Sequence, residues 1–138
     1  NVGKGESAVE QVIKGSCLCG DVTYEATGEL RPSVACHCTQ CRKQSGHHWA
    51  SVQVMDDGLT ITGTPKWYAS SATAKRGFCP TCGSFLFWKG DAGPGTGISL
   101  GALDGPTGMH LARHIFTADK GDYYDIPDNV RQEEQEDE

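Results

Sequence analysis

A mainly β domain is the fold class this sequence predicts. Its apolar residues fall in short runs that alternate with polar ones and stop at turn residues, the pattern of half-buried strands. Eighteen glycines punctuate those runs, and almost nothing in the chain keeps a helical period. Seven cysteines sit in three tight clusters and nowhere else: Cys17-Leu18-Cys19-Gly20, Cys36-His37-Cys38-Thr39-Gln40-Cys41 and Cys79-Pro80-Thr81-Cys82-Gly83.

Taken in order, Ala8–Lys14 is suited to at most a helical turn or two. Asp21–Ala26 alternates, with Val22, Tyr24 and Ala26 on one face. Thr39–Gly46 is the second stretch suited to a helical turn. Trp49–Met55 reads as a strand that ends at the Asp57-Gly58 turn signal. Leu59–Thr62 and Lys66–Ser70 follow, separated by Gly63 and Pro65. Ser84–Lys89 carries Phe85, Phe87 and Trp88, and Ile98–Leu103 and His110–Thr117 complete the expected strands. At 138 residues the chain is expected to form one domain, over residues 15–126, with an N-terminal extension over 1–14. Residues 127–138 read as an acidic, solvated and disordered tail, because Glu133, Glu134, Glu136, Asp137 and Glu138 crowd like charges together.

Hydrophobic residues make up only 37% of the chain, so the core is thin for the length. The formal charge of −6 argues against non-specific nucleic-acid binding. No apolar run approaches the roughly 18 residues needed to span a bilayer, and the start has no signal-peptide core, so no membrane partner is expected. Unpaired thiols in such number fit a reducing, cytoplasmic setting.

The cysteine spacing points to zinc. A tetrahedral ion draws thiolates from short loops two or three residues apart, and an odd number of cysteines cannot all form disulfides. The outer clusters supply two ligands each, Cys17 and Cys19 with Cys79 and Cys82, enough to close a four-thiolate structural site. The middle cluster supplies Cys36, Cys38 and Cys41, three ligands and a potentially open position, as expected of a catalytic zinc. Two zinc ions per chain are therefore expected. Gly83, and Gly20 likewise, permit the positive φ that turns backbone N–H groups towards sulfur.

Other residues admit a plain and a sharper reading. His37 lies between two ligands and in an extended segment points away from the metal. His47 or His48 is a candidate to close the middle site, to line a pocket, or to face solvent. His110 and His114 read as ordinary surface or core residues. Arg42, Lys43, Lys75 and Arg76 flank the clusters, either to balance thiolate charge or to hold the carboxylates of a small acidic ligand. The aromatics are mostly core.

Gly15-Ser16-Cys17-Leu18-Cys19-Gly20, Cys36-His37-Cys38-Thr39-Gln40-Cys41-Arg42-Lys43 and Phe78-Cys79-Pro80-Thr81-Cys82-Gly83, with Gly101-Ala102-Leu103-Asp104 and His114-Ile115-Phe116 later, resemble the glutathione-dependent formaldehyde-activating enzymes, the GFA or centromere protein V family. The resemblance spans about Gly15 to Ile126. It implies an Mss4-like fold of twisted antiparallel sheets, with a structural zinc on Cys17, Cys19, Cys79 and Cys82. It implies a second zinc on Cys36, Cys38 and Cys41. It also implies condensation of glutathione with formaldehyde, a carbon–sulfur lyase reaction in the formal direction. Members with chromatin or microtubule roles would want a basic extension, whereas this one is acidic.

The resulting expectation is a zinc-dependent carbon–sulfur lyase-type enzyme acting on glutathione or another small thiol and a small aldehyde. Family likeness alone does not secure the substrate. The alternative is a non-catalytic zinc-stabilised binding module, which needs a fourth protein ligand on the middle site and no pocket. Methionine sulfoxide reduction, known on a similar fold, needs a nucleophilic cysteine beyond the metal motifs, and none is left over.

Overall fold

The computed structural model describes residues 12–136 and builds them into two sheets and one helix. Ala8–Gln11 of the expected N-terminal helical turn lie outside the described residues. Val12–Lys14 belong to β1 (Val12–Ser16), where Ile13 faces inward and its neighbours outward in strand alternation. The folded unit thus starts before Gly15. Antiparallel pairing joins β1 to β2 (Thr23–Thr27), and β2 to β5 (Leu59–Thr62), in a three-stranded sheet.

The second sheet holds eight strands in the order β11-β10-β3-β4-β9-β8-β7-β6. These are β3 (Val34–Cys36), β4 (Trp49–Met55), β6 (Lys66–Ser71), β7 (Ala74–Phe78), β8 (Phe85–Gly90), β9 (Gly95–Ser99), β10 (Arg113–Ile115) and β11 (Arg131–Gln132). Most pairs are antiparallel, but β10 runs parallel to both β3 and β11, so this edge is mixed. Helix α1 (Thr39–Ser45) follows β3 and ends at Gly46, whose φ of 87° only glycine adopts at little cost.

The expected strands β4 and β5 stand with the bounds read from sequence. Others shift. β9 begins at Gly95, and Leu100–Ala102 turn into a short 3-10 helix. His110–Thr117 contains only the three-residue strand β10. β3 and β7 went unread because one is very short and the other, Ala74–Phe78, carries Lys75 and Arg76.

The main core lies between the sheets. Ile13, Val22, Tyr24 and Ala26 meet Val52, Val54, Leu86, Phe87 and Ile98, all buried. Tyr24 packs edge-on against Phe87 at 5.1 Å and donates its hydroxyl to the Ser99 carbonyl at 3.2 Å. A smaller core gathers Cys36, Cys41, Trp49 and Ile115 with Phe85 and Trp88 on the outer face of the large sheet.

The expected disordered tail is ordered through Glu136. β11 pairs with β10, and Glu133 is buried among its partners: Arg113 Nη1 at 3.0 Å and Arg131 Nε at 2.8 Å. The acidic run reads as self-repelling in sequence, but two guanidiniums from outside the run meet it in the fold. No helix among the described residues is long and apolar enough to cross a membrane.

Candidate metal centres

The first centre lies where two strand ends meet. Cys17 and Cys19 follow β1, and Cys79 and Cys82 lie in the turn between β7 and β8. Their four sulfurs lie within 4.8 Å of one another. The Cys17–Cys19 and Cys19–Cys79 sulfurs are each 3.7 Å apart, far from disulfide length. An ideal tetrahedron with metal–sulfur bonds of about 2.3 Å has edges of about 3.8 Å, so the donor set fits a zinc-sized ion.

Backbone geometry supports the same reading. Gly20 and Gly83 take φ values of 86° and 82°. The Val22 N–H donates to the Cys17 sulfur at 3.3 Å and the Cys82 N–H to the Cys79 sulfur at 3.4 Å. Ser84, not singled out from sequence, ties the two loops together. Its hydroxyl oxygen accepts the Leu18 N–H at 3.1 Å and lies 3.2 Å from the Cys82 sulfur. That hydroxyl, with backbone support, brings the Cys82 thiol down to about 5.

The middle cluster forms the second centre. Cys36 ends β3, opposite Trp49 of β4 and Ile115 of β10. Cys38 caps α1, its sulfur accepting the Cys41 N–H at 3.3 Å. Cys41 points inward from the first turn. The three sulfurs lie within 4.8 Å of one another, and no other described ligand atom joins them. Contact with Cys36 and Cys41 pulls the Cys38 thiol down, while contact with Cys38 pushes Cys36 up.

The flanking cations divide. Arg76 of β7, almost wholly buried, donates Nη1–H to the Cys41 sulfur at 3.5 Å. Lys75 is exposed and sits over the Trp67 ring at 4.7 Å. Arg42 is half-buried with its Nε unpartnered, and Lys43 is exposed.

The histidines form their own cluster. His37 turns away from the sulfurs, is 1% exposed, and shares a hydrogen bond at 2.8 Å between its Nε2 and His114 Nδ1. Its Nδ1 meets the Tyr124 hydroxyl. The His48 ring lies tilted against those of His37 and His47, at 5.0 and 4.3 Å between centres, and His47 Nδ1 lies 3.0 Å from the Tyr123 hydroxyl. Burial, then the neighbouring imidazoles and Lys120, press the His37 pKa down to about 4. Burial lowers His48 and His114 in the same direction. Neither His47 nor His48 joins the three sulfurs. His114 is a core residue, as expected, whereas Tyr123 and Tyr124 carried no signal in the sequence. Two surface hollows, of about 550 and 310 Å³, lie away from both sulfur clusters, one beside Thr117, Lys120 and Asp125 and the other beside Val12, Lys14 and Asp104.

The profile of the glutathione-dependent formaldehyde-activating enzyme family matches residues 12–119. An uncharacterized lyase of Schizosaccharomyces pombe is 29% identical over 122 residues, covering 82% of this chain and 84% of that protein. A crystal structure of a Rhodobacter sphaeroides protein superposes with a TM-score of 0.58 at 25% identity, covering 69% of this chain and 91% of that one.

Proposed function

This chain belongs to the glutathione-dependent formaldehyde-activating enzyme family, and on that premise we propose that it is a zinc-dependent carbon–sulfur lyase-type enzyme. Its substrates would be a small thiol, glutathione or a relative, and a small aldehyde. The lyase name of the yeast relative supports the reaction class. The carrying observation is the asymmetry of the two centres: four sulfurs gather at one and three at the other. A tetrahedral ion on Cys17, Cys19, Cys79 and Cys82 would be saturated by protein, whereas three protein ligands would leave a position for a substrate. The abundance of unpaired thiols favours a reducing compartment, the cytoplasm.

Zinc on Cys36, Cys38 and Cys41 would supply a place where an incoming sulfur is held as thiolate near neutral pH, far below the ordinary thiol pKa of about 8.5. The residues of the chain do the rest. Cys36, fixed in β3, and Cys38 and Cys41, fixed on α1, hold their sulfurs in a rigid triangle. Trp49, Phe85 and Trp88 exclude water on one side. Arg42 and Lys43 on α1 are suited to the carboxylates of an acidic thiol. In the reaction the thiol sulfur bonds to the carbonyl carbon, the carbonyl π pair moves to oxygen, and the thiol proton ends on that oxygen.

The test is a cobalt-substituted protein titrated with glutathione. The cobalt d–d and thiolate charge-transfer bands should change saturably, and Cys38→Ser should abolish the change. Arg42→Ala or Lys43→Ala should weaken the half-saturation point. If no thiol alters the bands while His47→Ala or His48→Ala does, the centre is closed by protein. The zinc-stabilised binding module then replaces the enzyme.

A further inference from the structure

Arg76 is an anomaly that the lyase reading does not use. Its side chain is 4% exposed, yet among the described residues no carboxylate lies within ion-pair distance of it. Its Nε has no hydrogen-bond partner. Its Nη1 reaches the Cys41 sulfur at 3.5 Å and the neutral Gln44 Oε1 at 3.4 Å. One side of the guanidinium faces the Phe85 ring, 5.6 Å from its centre. Burying a cation without an anion is strongly unfavourable, because the charge gives up its hydration and gains no partner. A sequence that places a permanent cation here therefore has an anion in place, and among the described residues the sulfur triangle is the candidate beside it.

The charges match. A divalent ion with three thiolates carries one net negative charge, which one guanidinium cancels. We infer that Arg76 is the charge-compensating positioning residue of the three-sulfur centre, and that its guanidinium sets how tightly that centre holds its metal. The inference rests on reading the middle cluster as a metal site, not on the reaction performed there. Arginine suits the role better than lysine in one respect and worse in another. Its charge cannot be lost at physiological pH, but its fork here spends only one N–H on sulfur. The same strand leads into the other centre: β7 ends at Phe78, and Cys79 follows. Arg76 thus serves one centre from a strand that anchors the other.

The experiment follows metal release from the full chain loaded with zinc, into excess chromogenic chelator, without substrate. Cobalt-substituted samples report the sulfur charge-transfer bands alongside. Arg76→Met keeps the bulk and removes the charge; Arg76→Lys keeps the charge. The expected result is that Arg76→Met releases one ion roughly 10- to 100-fold faster, the range for losing a ligand's supporting partner, and leaves the other ion unchanged. Arg76→Lys should stay near the wild-type rate. Equal acceleration in both variants would make shape, not charge, the contribution and overturn the inference. Wild-type rates for both ions in Arg76→Met would also overturn it. Should Arg76→Met not fold, Arg76→Gln against Arg76→Lys makes the same comparison of neutral with charged. Wild-type protein that binds only one ion would instead refute the metal reading of the middle cluster, a separate failure.

Discussion

Replacing Glu133 with Gln should destabilise the domain, although the residue lies in the acidic terminal run. Its side chain is only 5% exposed and is held by Arg113 Nη1 at 3.0 Å and 3.2 Å and by Arg131 Nε at 2.8 Å. Its backbone is engaged as well: the Glu133 N–H donates to the His114 carbonyl at 2.9 Å, and the Thr117 N–H donates to the Glu133 carbonyl at 3.1 Å. Removing one member of a buried ion pair costs about 3–5 kcal/mol when the other stays buried. Here the partners can recover. Arg131 is 66% exposed, and Arg113 also reaches Glu136 at 3.2 Å. Discounting towards the exposed-pair range of under about 1 kcal/mol gives an expected loss of about 2 kcal/mol. For a domain of this size that lowers Tm by roughly 6–8 °C. The assay is a thermal melt at fixed zinc concentration, since bound metal adds its own stabilisation. Glu136→Gln, at an exposed position, serves as the control and should shift Tm much less. A Glu133→Gln melt within about 1 °C of wild type would show that the buried carboxylate's pairing with Arg113 and Arg131 contributes nothing and would refute this reasoning.

The two centres should also separate by mutation. Cys79→Ser should abolish the cooperative melt, because a structural zinc contributes about 10 kcal/mol or more of folding free energy. Cys38→Ser should lose one of two bound ions and keep most of the fold; equal losses for both variants would make both centres structural. Stability should fall as the pH drops from about 6.5 towards 4. His37 has its native pKa lowered to about 4, chiefly by burial, so the unfolded chain binds a proton in that window that the native state refuses. The stabilisation is complete above the unfolded value and is lost on acidification. Acid also releases metal from thiolates, so the melts are read against metal content, and a His37→Gln profile as steep as wild type would assign the loss elsewhere.

The sequence by itself determined what depends on neighbours in the chain. Cys17 and Cys19, Cys36, Cys38 and Cys41, and Cys79 and Cys82 are spaced for a shared ion because loop geometry over two or three residues is local. The positive φ at Gly20 and Gly83 follows from the same short turns. Strands β4 and β5 announced themselves through alternation bounded by turn residues. The tertiary structure decided everything that depends on which strands lie side by side. Arg76 meets Cys41 across 35 positions because β7 and α1 converge on one face of the large sheet. His37 meets His114 across 77 positions because β10 inserts parallel beside β3, a pairing no local pattern encodes. Glu133 looks solvated beside its acidic neighbours and is buried because β11 carries it next to Arg113. A side chain's charge is written in the chain, but the partner that makes its burial tolerable is chosen by sheet order. Sheet order is set by the summed pairing and burial of all the strands, not by any one of them.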